Sequence, residues 1–153
     1  METNYKGKPN LKPAAVPHSY TEPEVKEFIK CSRDPAYFIE NYVNIVSIDE
    51  GLIPFKLYDF QKEMVGTFHS NRFTICKLPR QSGKSTTIIS YLIHYVIFND
   101  AVNVAILANK AATARDLLGR FQLAYEHLPE WMQQGVMKDR KSTRLNSSHS
   151  EIS

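Results

Sequence analysis

Gly83-Lys84-Ser85, inside the stretch KLPRQSGKSTTI (77–88), is the part of this sequence whose residue types suit phosphate best. A triphosphate needs several donors converging on clustered negative charge. A loop between a strand and a helix supplies them through inward-pointing backbone N–H groups and the unpaired N–H groups and dipole of the first helical turn. Gly83 lets the main chain pass close to a phosphate oxygen without a Cβ in the way. Lys84 would reach the β- and γ-phosphates, and Ser85 would ligate Mg²⁺ through its hydroxyl. Only the second half of the G-x-x-x-x-G-K-[ST] pattern is present, because Leu78 stands where the first glycine belongs. The setting supplies the missing weight: an apolar run precedes the loop and a strong helical pattern follows it directly.

Two further residues bear on the same chemistry. Arg80 lies inside the loop, four residues before Lys84. A guanidinium held there would stabilise charge that develops on a γ-phosphate or sense whether that group is present; the bland alternative is a solvated loop arginine. Gln61 lies 23 residues before Lys84, within YDFQKEM. Its amide carries a donor and an acceptor side by side, matching the N6 and N7 edge of adenine; the bland alternative is a solvated helix glutamine. Tyr58 and Phe60 beside it read as core residues, with support of a base face as the alternative.

These residues must be positioned by the elements around them. Pro9, Pro13 and Pro17 mark residues 1–20 as a flexible arm. Residues 21–57 read as a helical lead-in. Thr21 and Glu24 have capping-box spacing, with Val25, Phe28 and Ile29 on one helical face. Asp34-Pro35 starts a second helix with Tyr37, Phe38, Tyr42 and Ile45 facing inward. Asp49-Glu50-Gly51 punctuates, and LIPFKL (52–57) is extended. In 58–137, Phe60, Met64 and Phe68 give a helix; RFTICKL (72–78) and NVAILAN (103–109) give buried strands. Ile88, Ile89, Leu92, Ile93, Val96 and Ile97 form a broad apolar helix face. Ala114, Leu117, Leu118, Phe121, Ala124, Tyr125 and Leu128 form the stripe of a last helix, ended by Pro129. The order strand, loop, helix, strand, helix predicts an α/β fold with parallel strands and a right-handed crossover.

Composition sets wide bounds. The 153 residues are 42% hydrophobic and 23% charged, as in an ordinary globular chain, with a net charge of +3. Residues 1–137 carry 15 Lys and Arg against 14 Asp and Glu, so the body neither demands nor forbids a nucleic-acid partner. Cys31 and Cys76 lie in no Cys/His cluster and read as reduced thiols of a cytosolic protein. METNYKGKPN lacks the apolar core of a secretory signal, and the longest apolar run, 88–98, falls short of the about 20 residues a bilayer span takes. Residues 138–153 are Ser-rich and basic, read as disordered, and resemble translated cloning sequence.

The segments DPAYFIENYVNIVSIDEGLIPFKLYDFQKEMV, LPRQSGKSTT and VAILANKAATARDLL together resemble the N-terminal part of the large terminase subunit of tailed bacteriophages, especially those of contractile-tailed myoviruses. The likeness runs from about Glu24 to Val136. It implies a P-loop NTPase domain of the ASCE or RecA-like type, here incomplete and preceded by a helical segment. It implies an ATPase that drives double-stranded DNA into a prohead, with ATP and Mg²⁺ as cofactors. By this likeness Arg80, Gln81, Ser82, Gly83, Lys84 and Ser85, with Thr86, form the ATP loop, and a phosphate loop without its first glycine is expected. Arg80 and Lys84 take the catalytic roles, Arg80 acting on the γ-phosphate from within the same chain. Gln61 contacts adenine, and Ser85 holds Mg²⁺.

The implied partners are the phage genome, a portal protein, a small terminase subunit and further copies on the prohead, in the host cytoplasm and with no membrane. An apolar strand ending in Asp-Glu should follow the loop, the Asp to help hold Mg²⁺ and the Glu to activate water. None follows Ser85, and the family's nuclease carboxylates are also missing. A chain cut short near Val136, with little ATP turnover of its own, is therefore expected. A DEAD-like helicase or translocase fragment is the enzymatic alternative, disfavoured by Leu78 and Arg80. A non-catalytic module that only docks on partners is the other. Lys110, Arg115 and Arg120 read as mixed charge on an exposed helix, so no residue is assigned to DNA.

Overall fold

The computed structural model describes residues 11–12, 17–47 and 49–133. Most of the expected arm (1–20) and all of the expected disordered tail (138–153) lie outside the described residues. Of the arm, Leu11 and Lys12 are buried, and the Lys12 backbone N–H donates to Gln133 Oε1 at 2.9 Å.

Five α-helices and one small sheet make up the described residues. Helix α1 (Glu22–Arg33) starts at Thr21, whose N–H donates to Glu24 Oε2 at 2.7 Å. Of its expected apolar face, only Phe28 packs on the core, while Val25 and Ile29 remain exposed. Helix α2 (Pro35–Tyr42) begins at Asp34, whose carboxylate accepts from the Tyr37 N–H at 3.0 Å. Pro35 at its first position needs no such acceptor. Asp34→Ala should cost about 1 kcal/mol of stability, read as a lowered denaturant midpoint at unchanged slope.

Helix α2 stops at Tyr42, sooner than an inward-facing helical Ile45 requires. Asn44–Ser47 (β1) instead pairs antiparallel with Gly51–Pro54 (β2), Ile45 opposite Ile53. The β-branched run Ile45-Val46 favours the pleat, and Gly51, at φ 74°, supplies the left-handed turn residue. Helix α3 (Asp59–Ser70) follows, then α4 (Lys84–Phe98), α5 (Ala111–Glu126) and a 3₁₀ turn (Glu130–Met132).

The core gathers around α4, which packs on α2, α3 and α5. Ile89, Ile93 and Ile97 lie on one stripe of α4 and are buried with Phe38, Ile39 and Val43, with Val65 of α3, and with Ala124, Leu128 and Met132. Between them sits His94, its Nε2 2.9 Å from the Cys31 carbonyl oxygen and its ring against Phe38 and Phe98. Burial pushes its pKa down to about 4. Burial also pushes the Cys31 thiol up to about 12, leaving it protonated and unreactive. Glu27 ties α1 to α2 by accepting from the hydroxyls of Tyr37 and Tyr42 at 2.7 and 2.9 Å.

The parallel sheet expected from 72–78 and 103–109 is not formed among the described residues. Neither segment belongs to a ladder. Phe73, Ile75 and Leu107 are 82%, 97% and 82% exposed, the opposite of buried strands. The physical reason is coverage. A parallel strand is buried only when neighbours pair with it and helices cover both faces. Here the apolar stripe of α4 is taken up by helices, so nothing draws 72–78 inward. The fold is a mixed α/β arrangement, mainly helix on helix.

Candidate phosphate-binding loop

The chain between α3 and α4 turns sharply before the helix begins. Gln81 (φ 60°) and Gly83 (φ 73°) are both left-handed and flank Ser82. Gln81 is not a glycine, so it holds a conformation costing about 1–2 kcal/mol, the kind of strain that clusters at binding loops. Left-handed residues between others turn successive backbone N–H groups toward one side, where an anion can sit.

Helix α4 then opens at Lys84 with Gly83 as its cap residue. Its first backbone bond to a described residue runs from the Thr87 N–H to the Gly83 carbonyl at 3.0 Å. The N–H groups of Lys84, Ser85 and Thr86 have no backbone acceptor among the described residues, as the first turn of any helix requires. The Pro79 carbonyl closes the loop from the other side, accepting from Ser82 Oγ and from Lys84 Nζ, both at 3.0 Å. The Lys84 ammonium thus lies across the mouth of the loop, on an uncharged acceptor that a phosphate oxygen would outcompete. From Met64 to Asn99 the sequence contains no Asp or Glu, while Arg72, Lys77, Arg80 and Lys84 are cationic. Apart from Lys84 of the motif itself, three cations and no acidic residue in that run favour an anion.

Gln61 comes to the loop from the first turn of α3. Its side-chain Nε2 donates to the Ser82 carbonyl at 3.3 Å, and its Oε1 accepts the Tyr58 N–H at 2.9 Å. It is 2% exposed, so it is not the solvated helix glutamine. A Cβ on Gly83 would lie 2.6 Å from this Nε2, closer than any real Cβ contact. Gly83 is thus required twice, for its left-handed backbone and for the approach of Gln61.

Beside the loop opens a cleft of about 550 Å³, lined on one side by Gln81, Ser82, Gly83 and Thr86. Tyr58 and Phe60 form its other side with Ile45 and Phe55. Both were expected in the core, yet Tyr58 is 69% exposed. Their rings are parallel within 9°, with centroids 6.0 Å apart. Parallel exposed rings next to a helix N-terminus suit a flat heteroaromatic group whose charged substituent points at the loop.

Of the residues singled out from the sequence, Gln61, Gln81, Ser82, Gly83 and Thr86 line this cleft. Lys84 and Ser85 lie on the adjoining first turn of α4, Ser85 with a hydroxyl free of hydrogen bonds among the described residues. Arg80 is exposed at the loop's tip and lies outside the cleft lining. Arg120, considered for a basic face, pairs with Asp116 at 3.0 Å, both exposed. Among the described residues no three His, Cys, Asp or Glu side chains form a group that could hold a metal, and no helix is long and apolar enough to cross a membrane. No protein-family model matches the chain.

Proposed function

We propose that loop 79–86 binds the phosphates of a nucleoside triphosphate whose base enters the Tyr58–Phe60 cleft, and that the chain is the ATP-binding part of a double-stranded DNA-packaging motor of the terminase large-subunit type. One observation carries the phosphate reading. The unpaired first-turn N–H groups of α4 and the Lys84 ammonium meet at the mouth of one strained loop. The motor reading is carried by the resemblance of the quoted segments. The finer fold goes with it: 72–78 and 103–109 are the segments that would enter a parallel sheet once neighbouring strands pair with them.

The donor set fits a hydrated magnesium triphosphate. Ser85 offers one uncommitted hydroxyl, and Mg²⁺ commonly takes only one or two protein oxygens beside phosphate and water. The metal, when bound, neutralises charge between the phosphates. Lys84 would leave the Pro79 carbonyl for the β- and γ-oxygens. Arg80, unpaired at the tip among the described residues, would reach the γ-phosphate. Double-stranded DNA, a portal protein, a small terminase subunit and further copies of the chain are the partners this reading implies.

Titration with magnesium ATP tests the phosphate part. Lys84→Ala should weaken binding at least roughly thirtyfold, since an ammonium meeting clustered phosphate charge contributes about 2 kcal/mol or more. Equal affinity in the variant and the parent chain overturns the reading.

A further inference from the structure

We propose that Gln61 is a positioning residue for the phosphate loop and not the reader of the nucleotide base. This rests on the phosphate reading above and gives one of its residues a different task from the one the sequence suggested.

The argument begins with what the Gln61 amide already holds. A backbone N–H can only donate and a carbonyl can only accept. The Tyr58 N–H therefore fixes Oε1 on one side, and the Ser82 carbonyl fixes Nε2 on the other. An adenine edge needs the oxygen and one N–H of the same amide presented together. Each amide atom keeps a second bonding position, but swinging the amide out toward a base would strip both existing partners, leaving a helix N-terminal N–H and a loop carbonyl unpaired, each at a cost of about 1–3 kcal/mol where buried. Gln61 is also 2% exposed, with Gly83 packed where a side chain would otherwise stand. It has little room to swing.

What Gln61 does reach is the peptide between the two left-handed residues, Gln81 and Gly83. Holding the Ser82 carbonyl sets the orientation of that peptide and of the N–H groups that follow it. Those are the groups offered to phosphate. The amide therefore links the start of α3, which carries Tyr58 and Phe60 beside the base cleft, to the loop that carries the charge. Its effect should fall on phosphate affinity whether or not a base is attached.

Magnesium tripolyphosphate, which has no base, separates the two roles when titrated beside magnesium ATP. Gln61→Ala should weaken both ligands by the same factor, roughly tenfold for one lost hydrogen bond that orders the loop. Gln61→Glu should weaken both ligands by a common factor at least as large, since its negative charge also repels phosphate. Its carboxylate still accepts the Tyr58 N–H but cannot donate to the Ser82 carbonyl. Loss of ATP affinity with tripolyphosphate unchanged makes Gln61 the base reader and overturns the proposal. Unchanged affinity for both ligands, or loss of the fold in both variants, overturns it as well. If the parent chain binds neither ligand, the phosphate reading itself fails and this inference falls with it, an outcome distinct from the others.

Discussion

Gly83→Ala is expected to destabilise the protein by about 3 kcal/mol, although it adds one methyl group to a half-exposed loop. Two costs combine. The backbone at φ 73° is left-handed, which charges a residue with a Cβ about 1–2 kcal/mol. The new Cβ would also stand 2.6 Å from Gln61 Nε2, so the amide or the loop must move, at a cost of about 1–3 kcal/mol for overpacking. Ala regains less than about 1 kcal/mol by stiffening the unfolded chain. The thermal midpoint should fall by roughly 10 °C for a domain of this size. Gly66→Ala is the matched control. Gly66 lies within α3 with open space around its would-be Cβ, so alanine should stabilise by about 0.5–1 kcal/mol. If both variants melt at the parent's temperature, the close approach of Gln61 to Gly83 is not a feature of the protein.

The second large effect is a dependence of stability on pH that runs through His94. The Cys31 carbonyl can only accept, so the proton of neutral His94 sits on Nε2 and Nδ1 is bare. Nδ1 is buried and finds no hydrogen-bond partner. Charging the ring would place a proton there with no acceptor, among Phe38, Tyr91 and Phe98 and 6.0 Å from the His69 ring. Burial accordingly lowers the pKa from 6.5 to about 4. Because the folded value lies below the unfolded one, the unfolded chain takes up the proton first. Stability from this group is complete above pH 6.5 and is lost as the pH falls toward 4, with no further loss below. The interval corresponds to about 3 kcal/mol. Denaturant midpoints measured across it should fall with acid, and His94→Gln, which still donates to Cys31, should flatten the slope. A variant whose slope matches the parent's assigns the acid sensitivity to other groups, with Glu24 and Glu27, both held below the usual carboxylate range by hydrogen bonds, the first to test.

Local pattern carried the helices and failed at the pairing. The four-residue recurrence of Ile89, Ile93 and Ile97 placed α4 and its buried stripe, and Asp34 before Pro35 placed the start of α2. Both signals act within a few residues, where sequence distance and spatial distance agree. RFTICKL and NVAILAN read as buried strands because an apolar, β-branched run looks the same whether or not it finds a neighbour to pair with. Ile75, almost wholly exposed, measures that gap. Tyr58 and Phe60 read as core, with support of a base face as the alternative, and they line the cleft beside the loop. The position of Gly-Lys-Ser at a helix start was legible. The bond from Gln61 to Ser82 spans 21 residues of chain, and no local rule encodes it. Gly83 held a clue to it, since a glycine at a helix cap signals close approach as readily as a turn.

Backbone amide spectra recorded while magnesium tripolyphosphate is added test the central claim most directly, because they report the proposed donors themselves. The N–H resonances of Gly83, Lys84, Ser85 and Thr86 should shift first and furthest, saturating together, and Lys84→Ala should blunt the response. Shifts centred on any other part of the chain, or no saturable shift at this loop, would contradict a phosphate site at the start of α4.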